Sequence, residues 1–456
     1  MNRYDQMELE SVNELVFGRA KYPLRYGLDL EIGKGSVVPE LKFSPRPGKE
    51  KDLPTLLKEY ENITNDIMDR AVNLGLPAIQ LETEHVVQIT SNKGWASEIT
   101  RLQKEILEKY HSEYGIKCAL RQTIADIRKA ESGLRKGDEL TKMWEAFEAS
   151  AENGADVLSI ESLGGKDVFD YAVTRQDVAG VLFSVGVLGS MDMDFLWKEI
   201  VNISTHHKVV PGGDTDCSQS NTAMMLAGGL LNNELPHSFA AIIRAAGAAR
   251  SLVAFEQGAL GPDKDCGYEG TILKAISGRP ISQEGKGSAC AHSSLMGNVA
   301  AVACDLWSNE AVQYGDMFGG TTPQVFAEIL GYDAAFLNVC LKSGQELAVR
   351  DMLALSDKYR DPQALVLTPE NAYRLGKVIV TNSNDLFMRA REAMREAAMI
   401  LEEEKENLAL QDIELKALRK SAAELTSYQE GSKFVEDSIK RYRKLVPSFD
   451  PSNYDL

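Results

Sequence analysis

Several things are scarce in this chain of 456 residues, and each scarcity narrows what it can be. Cysteine occurs six times, and no two cysteines stand in a C-x2-C pair. That excludes the close ligand pairs of a structural zinc module and argues against a disulfide scaffold; thiols this sparse fit a reducing, cytoplasmic setting. Positive charge is outweighed, leaving a formal net charge of −17, which disfavours broad binding to nucleic acid. The first residues, Met1-Asn-Arg-Tyr-Asp-Gln-Met-Glu8, lack the apolar stretch of a secretion signal, and no uninterrupted apolar run approaches the length that crosses a bilayer. There is no G-x-G-x-x-G opening a helix, no P-loop, and no internal repeat.

What remains is an alternation. Leu56 to Asn73 reads as an amphipathic helix, followed by a strand at Pro77–Glu82. Ser97–Tyr114 and Met143–Asn153 are further helices, with strands at Ile116–Arg121 and Val157–Ile160. Short apolar runs at Val181–Gly186, Val209–Val210, Ser251–Glu256 and Pro280–Glu284 continue the series, with helices at Phe195–Thr205 and Pro236–Gly247. Alternation of this kind predicts parallel strands with crossover helices. The count favours an α/β fold of the (β/α)8 TIM-barrel type over an open sheet. On this reading residues 1–54 are a proline-containing N-terminal extension that wraps over something else. Residues 55–355 form the catalytic barrel, and 356–456 form a helical C-terminal region with helices near 392–406, 408–425 and 434–445.

Three segments gather chemistry where a barrel keeps it, past the carboxyl ends of strands. Asp156-Val-Leu-Ser-Ile-Glu161-Ser-Leu-Gly-Gly165 carries a carboxylate, and Pro211-Gly-Gly-Asp-Thr-Asp-Cys217 and Gly261-Pro-Asp-Lys-Asp-Cys266 each carry a thiol. Two thiolates and one carboxylate suit an open zinc site, since catalytic zinc commonly takes three protein ligands and keeps a fourth position free. The same two cysteines also read as small residues in glycine-rich turns. Glu82, Glu84, Asp214, Asp216 and Asp265 lie near strand ends as proton donors or, equally, as turn-forming and orienting groups. Cys290 and His292 are a rival metal pair or part of a helix start. His206-His207 reads as a solvated helix end, and Cys118, Cys304 and Cys340 as core. The glycine pairs 164–165, 212–213, 228–229 and 319–320 serve either close approach of a bulky group or positive φ in loops.

The runs Leu28–Gly33, Leu81-Glu-Thr-Glu-His85, Tyr114–Arg121, Ser159–Lys166, Gly213–Cys217, Gly261–Glu269 and Ser356–Ala364 resemble methanol:corrinoid methyltransferase, the zinc subunit of a methanol-activating system. The resemblance spans most of the chain. It implies a zinc-dependent TIM barrel, with Glu161, Cys217 and Cys266 as the Zn²⁺ ligands. It also implies transfer of the methyl group of methanol to the Co(I) corrinoid (cobalamin) of a partner protein, and a homodimer within a larger complex. Other donors (a methylamine or an aryl methyl ether), a thiol acceptor, or a non-catalytic scaffold role are the alternatives; zinc content together with methanol-dependent methylation separates them.

Overall fold

The computed structural model describes residues 3–228 and 234–456; Gly229, named above, lies outside them. Two antiparallel strands come first, β1 (Arg19–Tyr26) and β2 (Leu30–Lys34). Seven parallel strands follow: β3 (Val38–Lys42), β4 (Ala78–Glu84), β5 (Lys117–Ala125), β6 (Val157–Glu161), β7 (Val210–Gly213), β8 (Ser282–Glu284) and β9 (Leu306–Ser308). They are ordered β7-β6-β5-β4-β3-β9-β8. An irregular segment, 260–265, spans the gap between β7 and β8. The Leu260 and Gly261 amides donate to the Pro211 and Gly212 carbonyls at 2.8 and 2.9 Å, and the Glu284 amide donates to the Asp265 carbonyl at 3.1 Å. That segment supplies the eighth position of the barrel.

The helices between strands form where apolar residues recur every three or four positions. Leu53–Asn73 begins on the Asp52 side chain, which accepts from the Thr55 amide, with Pro54 in the first turn. Lys93–Tyr114 ends on Gly115 at φ +71°, a conformation glycine adopts without strain.

Inside the barrel the usual assignment of apolar residues is inverted. Side chains alternate along a strand, and here the inward set is largely polar: Glu40 and Lys42 on β3, Gln80 and Glu82 on β4, Arg121 and Thr123 on β5, Ser159 and Glu161 on β6, Ser282 and Glu284 on β8. Glu40 accepts from Gln80, Arg121 and Ser282 at 2.6, 3.1 and 3.1 Å, and Thr123 donates to Glu82 at 2.7 Å. Only the amino-terminal end is apolar. Tyr26, Leu30 and Ile32 of the β1–β2 hairpin pack there against Val38, Ala119, Val157 and Leu306 and plug the barrel. Residues 1–54 thus hold this plug and also the barrel's first strand, β3, so the barrel begins before residue 55.

Two runs expected as strands are helical. Val181–Gly186 lies in a helical stretch running through Val178–His207, and Ser251–Glu256 ends the helix His237–Gln257. That second helix is sandwiched between the barrel and the C-terminal helix Leu386–Glu403, and nearly every side chain on it is buried. A helix covered on all sides is apolar all round, so its sequence shows no helical stripe. Among the described residues, these two and Thr322–Lys342 are the helices whose length and composition would permit a membrane crossing; the first two are buried inside the protein.

The C-terminal helices, Leu386–Glu403, Asp412–Ser427 and Gly431–Leu445, pack on their own barrel. Arg389, fully buried, donates to both Glu256 oxygens at 2.9 and 3.0 Å and to the Ala249 carbonyl at 2.7 Å. Near the end of the chain, the Tyr454 hydroxyl accepts from the Gly165 amide at 2.8 Å.

Candidate metal centre

Glu161 is the last residue of β6, Cys217 lies four residues beyond β7, and Cys266 directly follows the 260–265 segment. The three segments are sequential neighbours around the ring, so their carboxyl ends converge. One ligand atom from each residue lies within 4.8 Å of the others. The Cys266 sulfur is 3.0 Å from Glu161 Oε1, and the two cysteine sulfurs converge, with their Cα atoms 5.8 Å apart. Thr215 Oγ1 lies beside both sulfurs, 3.5 Å from Cys217 and 3.8 Å from Cys266, and accepts from the Gly267 amide at 2.9 Å. Cys266 is buried, whereas Glu161 and Cys217 are partly exposed, so the cluster faces out of the barrel mouth.

This donor set fits zinc. Two sulfurs and one carboxylate from separate segments, with one side open to solvent, match the chemistry of a three-ligand zinc site once both cysteines are thiolates. Three further groups of His, Cys, Asp or Glu come close enough together to hold a metal among the described residues. They are Glu148/Glu152/His207, Glu284/His292/Glu310 and Glu40/Glu82/Asp265, and none contains a cysteine.

Under the cluster lies a layer of buried ion pairs. Lys264 Nζ, fully buried, is 2.5 Å from Asp265, 3.0 Å from Glu82 and 3.1 Å from Glu161 Oε1. Lys42 Nζ is 2.7 Å from Glu284 and 3.5 Å from both Asp265 and Glu84. Burial alone would lower both lysines, but the surrounding carboxylates, Asp265 first, hold them well above the ordinary value. Burial likewise opposes ionisation of Asp265, yet Lys264 and Lys42 hold its carboxyl well below the usual range. Burial and the neighbouring Glu84 push Glu161 up to about 8, against the pull of Lys264.

A second network fixes the loops from behind. Arg250, on the buried helix His237–Gln257, donates to the Ser162 hydroxyl at 2.6 Å and lies 3.5 Å from Asp214; Ser162 in turn donates to Asp214 at 2.5 Å. Burial pushes Asp214 up to about 7, with Arg250 opposing. Arg244, one and a half turns earlier, lies 3.3 Å from Glu269, which accepts from the Asp216 amide at 2.5 Å.

The five carboxylates singled out from the sequence therefore separate. Glu82, Asp214, Asp216 and Asp265 are buried, and each is engaged by hydroxyls or cations. Glu84 is about one-third exposed at the mouth. Cys290 is exposed on the short helix Lys286–Ala291, while His292 is buried and pairs with Glu310 at 3.2 Å, so the two do not act together. His206 is exposed, and His207 pairs with Glu148. Cys118, Cys304 and Cys340 are buried thiols. At Gly164 and Gly212 an added Cβ would meet Asp192 and Ser159, so these glycines serve close internal packing.

Sequence reasoning missed Lys42, Lys264, Arg121, Arg244 and Arg250. A signal for the last two exists: they are the two arginines within the mainly apolar stretch 239–255.

Comparison with known proteins gives one consistent match. The family model described as methanol-cobalamin methyltransferase B subunit matches residues 1–455. A protein of Methanosarcina barkeri, the methanol–corrinoid protein co-methyltransferase, is 50% identical over 455 residues, covering 99% of each chain. A chain in the crystal structure of the methanol:cobalamin methyltransferase complex MtaBC from Methanosarcina barkeri superposes with a TM-score of 0.97. It is 49% identical, with both chains fully covered.

Proposed function

The chain belongs to the methanol-cobalamin methyltransferase B subunit family and is a methyltransferase, and from that premise we propose that it moves the methyl group of methanol to the Co(I) corrinoid of a partner protein at a zinc centre. The observation that carries the reading is the convergence of Glu161, Cys217 and Cys266 at the barrel mouth. In the transfer the methyl carbon–oxygen bond breaks, a carbon–cobalt bond forms, and the oxygen leaves as hydroxide that takes up a proton to become water. A zinc ion bound by these three residues supplies Lewis acidity toward the methanol oxygen.

The chain's own groups do the rest. Thr215 orients both sulfurs, and the Ser162–Asp214–Arg250 network fixes the loop that follows Glu161. Glu84, exposed at the mouth and beside both lysines, is the carboxylate placed to pass a proton between solvent and the site. In this reading the chain works in the reducing cytoplasm, where both cysteines remain thiolates.

The chain also pairs with itself. Helix Thr322–Lys342 turns Ile329, Tyr332, Phe336 and Val339 to solvent, beside a hairpin that exposes Met317 and Phe318. These side chains carry no charge, so two chains each at −17 can meet there without opposed charges.

Metal analysis combined with methanol-dependent methylation of cob(I)alamin, under a thiol-free reductant, tests the centre. One zinc per chain is expected, and Cys217→Ala should lose most of the metal and nearly all turnover. A variant with full zinc and full activity refutes the assignment.

A further inference from the structure

The carboxylates around one buried ammonium are distributed in an informative way. Lys264 sits under the ligand cluster with no exposure. A buried cation must be paired, and Asp265 at 2.5 Å and Glu82 at 3.0 Å already achieve this. Its third neighbour is Glu161 Oε1 at 3.1 Å, the same oxygen that lies 3.0 Å from the Cys266 sulfur. An ammonium has three donors and no acceptor, so this third contact goes beyond what charge pairing requires. Lys42, its companion in the layer, pairs with Glu284, Asp265 and Glu84. Among the described residues, Lys264 is the one Lys, Arg or His within 4 Å of the Glu161 carboxylate.

Resting on the zinc reading above, we propose that Lys264 is a positioning residue that holds Glu161 Oε1 and withdraws charge from it. Two thiolates and a carboxylate exceed a dication by one negative charge. The ammonium, shared with Asp265 and Glu82, offsets part of that excess at Glu161 Oε1 itself. A carboxylate that shares its oxygen with Lys264 donates less to a metal, which leaves the metal the stronger Lewis acid. Partners that orient a ligand from behind commonly change metal affinity or activity by about 10- to 100-fold when removed. Here the direction is specific: without Lys264 the metal is held at least as well but works less well.

The test compares wild type, Lys264→Gln and Lys264→Arg, each as the full chain. Zinc dissociation constants come from chelator competition, turnover is expressed per bound zinc, and the Co(II)-substituted proteins report the sulfur-to-metal charge-transfer band. Lys264→Gln should bind zinc with equal or greater affinity and turn over at least about tenfold more slowly per zinc. Its charge-transfer band should move to higher energy. Lys264→Arg should recover both the band position and most of the turnover. If Lys264→Gln does not fold, the charge-balanced pair Lys264→Gln/Glu82→Gln is read in the same way. Zinc binding that weakens in step with activity, at constant turnover per zinc, would mean a structural prop and overturn the proposal; so would no change in any readout. A wild-type protein that holds no zinc would instead remove the reading on which the proposal rests.

Discussion

His85 stands one residue past β4 with 4% of its surface exposed, Nε2 at 2.9 Å from Gln122 Oε1 and Nδ1 at 3.3 Å from Thr90 Oγ1. Burial lowers its pKa from 6.5 to about 4, against a raising contribution from Gln122. In the unfolded chain the imidazole takes a proton near pH 6.5, whereas the folded protein resists doing so until about pH 4. Between those values the unfolded state binds more protons, so stability falls as the pH drops through the window. It is level above 6.5 and level again below 4. Linkage puts the loss at about 0.8 kcal/mol at pH 6, about 2 kcal/mol at pH 5 and about 3 kcal/mol below pH 4. Replacing His85 with Gln keeps a hydrogen-bonding side chain but removes the titration. Urea unfolding of both proteins at pH 7, 6 and 5 isolates the effect, because Asp214 and the other shifted carboxyls are common to both and cancel in the difference. The deficit of His85→Gln relative to wild type should shrink by about 2 kcal/mol between pH 7 and 5. A difference that stays constant across that range would refute the assignment of a buried neutral imidazole.

Two further outcomes are expected. Arg389→Ala strips Glu256 of its buried partner while leaving Arg3 at 2.8 Å. It should lower stability by about 3 kcal/mol in urea titrations, and Glu256→Gln added to it should restore part of the loss; a loss under about 1 kcal/mol would show that this pair does not anchor the C-terminal helices. Phe336→Glu places charge on the exposed face of helix Thr322–Lys342 and should convert a dimer to a monomer by light scattering at micromolar concentration with zinc content unchanged. A wild type already monomeric there would refute self-pairing through this face.

The barrel was legible where its strands are bounded by amphipathic helices: Ala78–Glu84, Lys117–Ala125 and Val157–Glu161 fall on the expected runs. Glu161 and Cys217 do sit at or past the ends of strands, β6 and β7, whereas the run expected as the strand before Cys266 is helical and the irregular segment 260–265 takes its place. Elsewhere the apolar signal misled for a physical reason. Val181–Gly186 and Ser251–Glu256 are apolar because their helices are buried on all sides, and a short wholly apolar run does not distinguish helix from strand. Conversely, Val38-Pro-Glu-Leu-Lys42 and Leu306-Trp-Ser308 are true strands that lack a strong apolar run, since Glu40, Lys42 and Ser308 point into a polar barrel interior. Lys264 was in plain view beside Cys266. Its role emerges only when two distant carboxylates, Glu82 and Glu161, are brought to it, which no local pattern encodes.

The contact between Tyr454 and Gly165 joins residues 289 positions apart. Gly165 closes the turn that begins at Glu161, so the loop beside the metal ligands is secured by a residue made long after it. The three ligands and the ion pairs beneath them are all present once residue 308 has been made. A growing chain can therefore assemble the ligand set well before its rim is locked, and the hydroxyl of Tyr454 acts as the final fastening. A change that removes the Tyr454 hydroxyl, such as Tyr454→Phe, should consequently be felt at the mouth of the barrel, far along the chain from where the change is made.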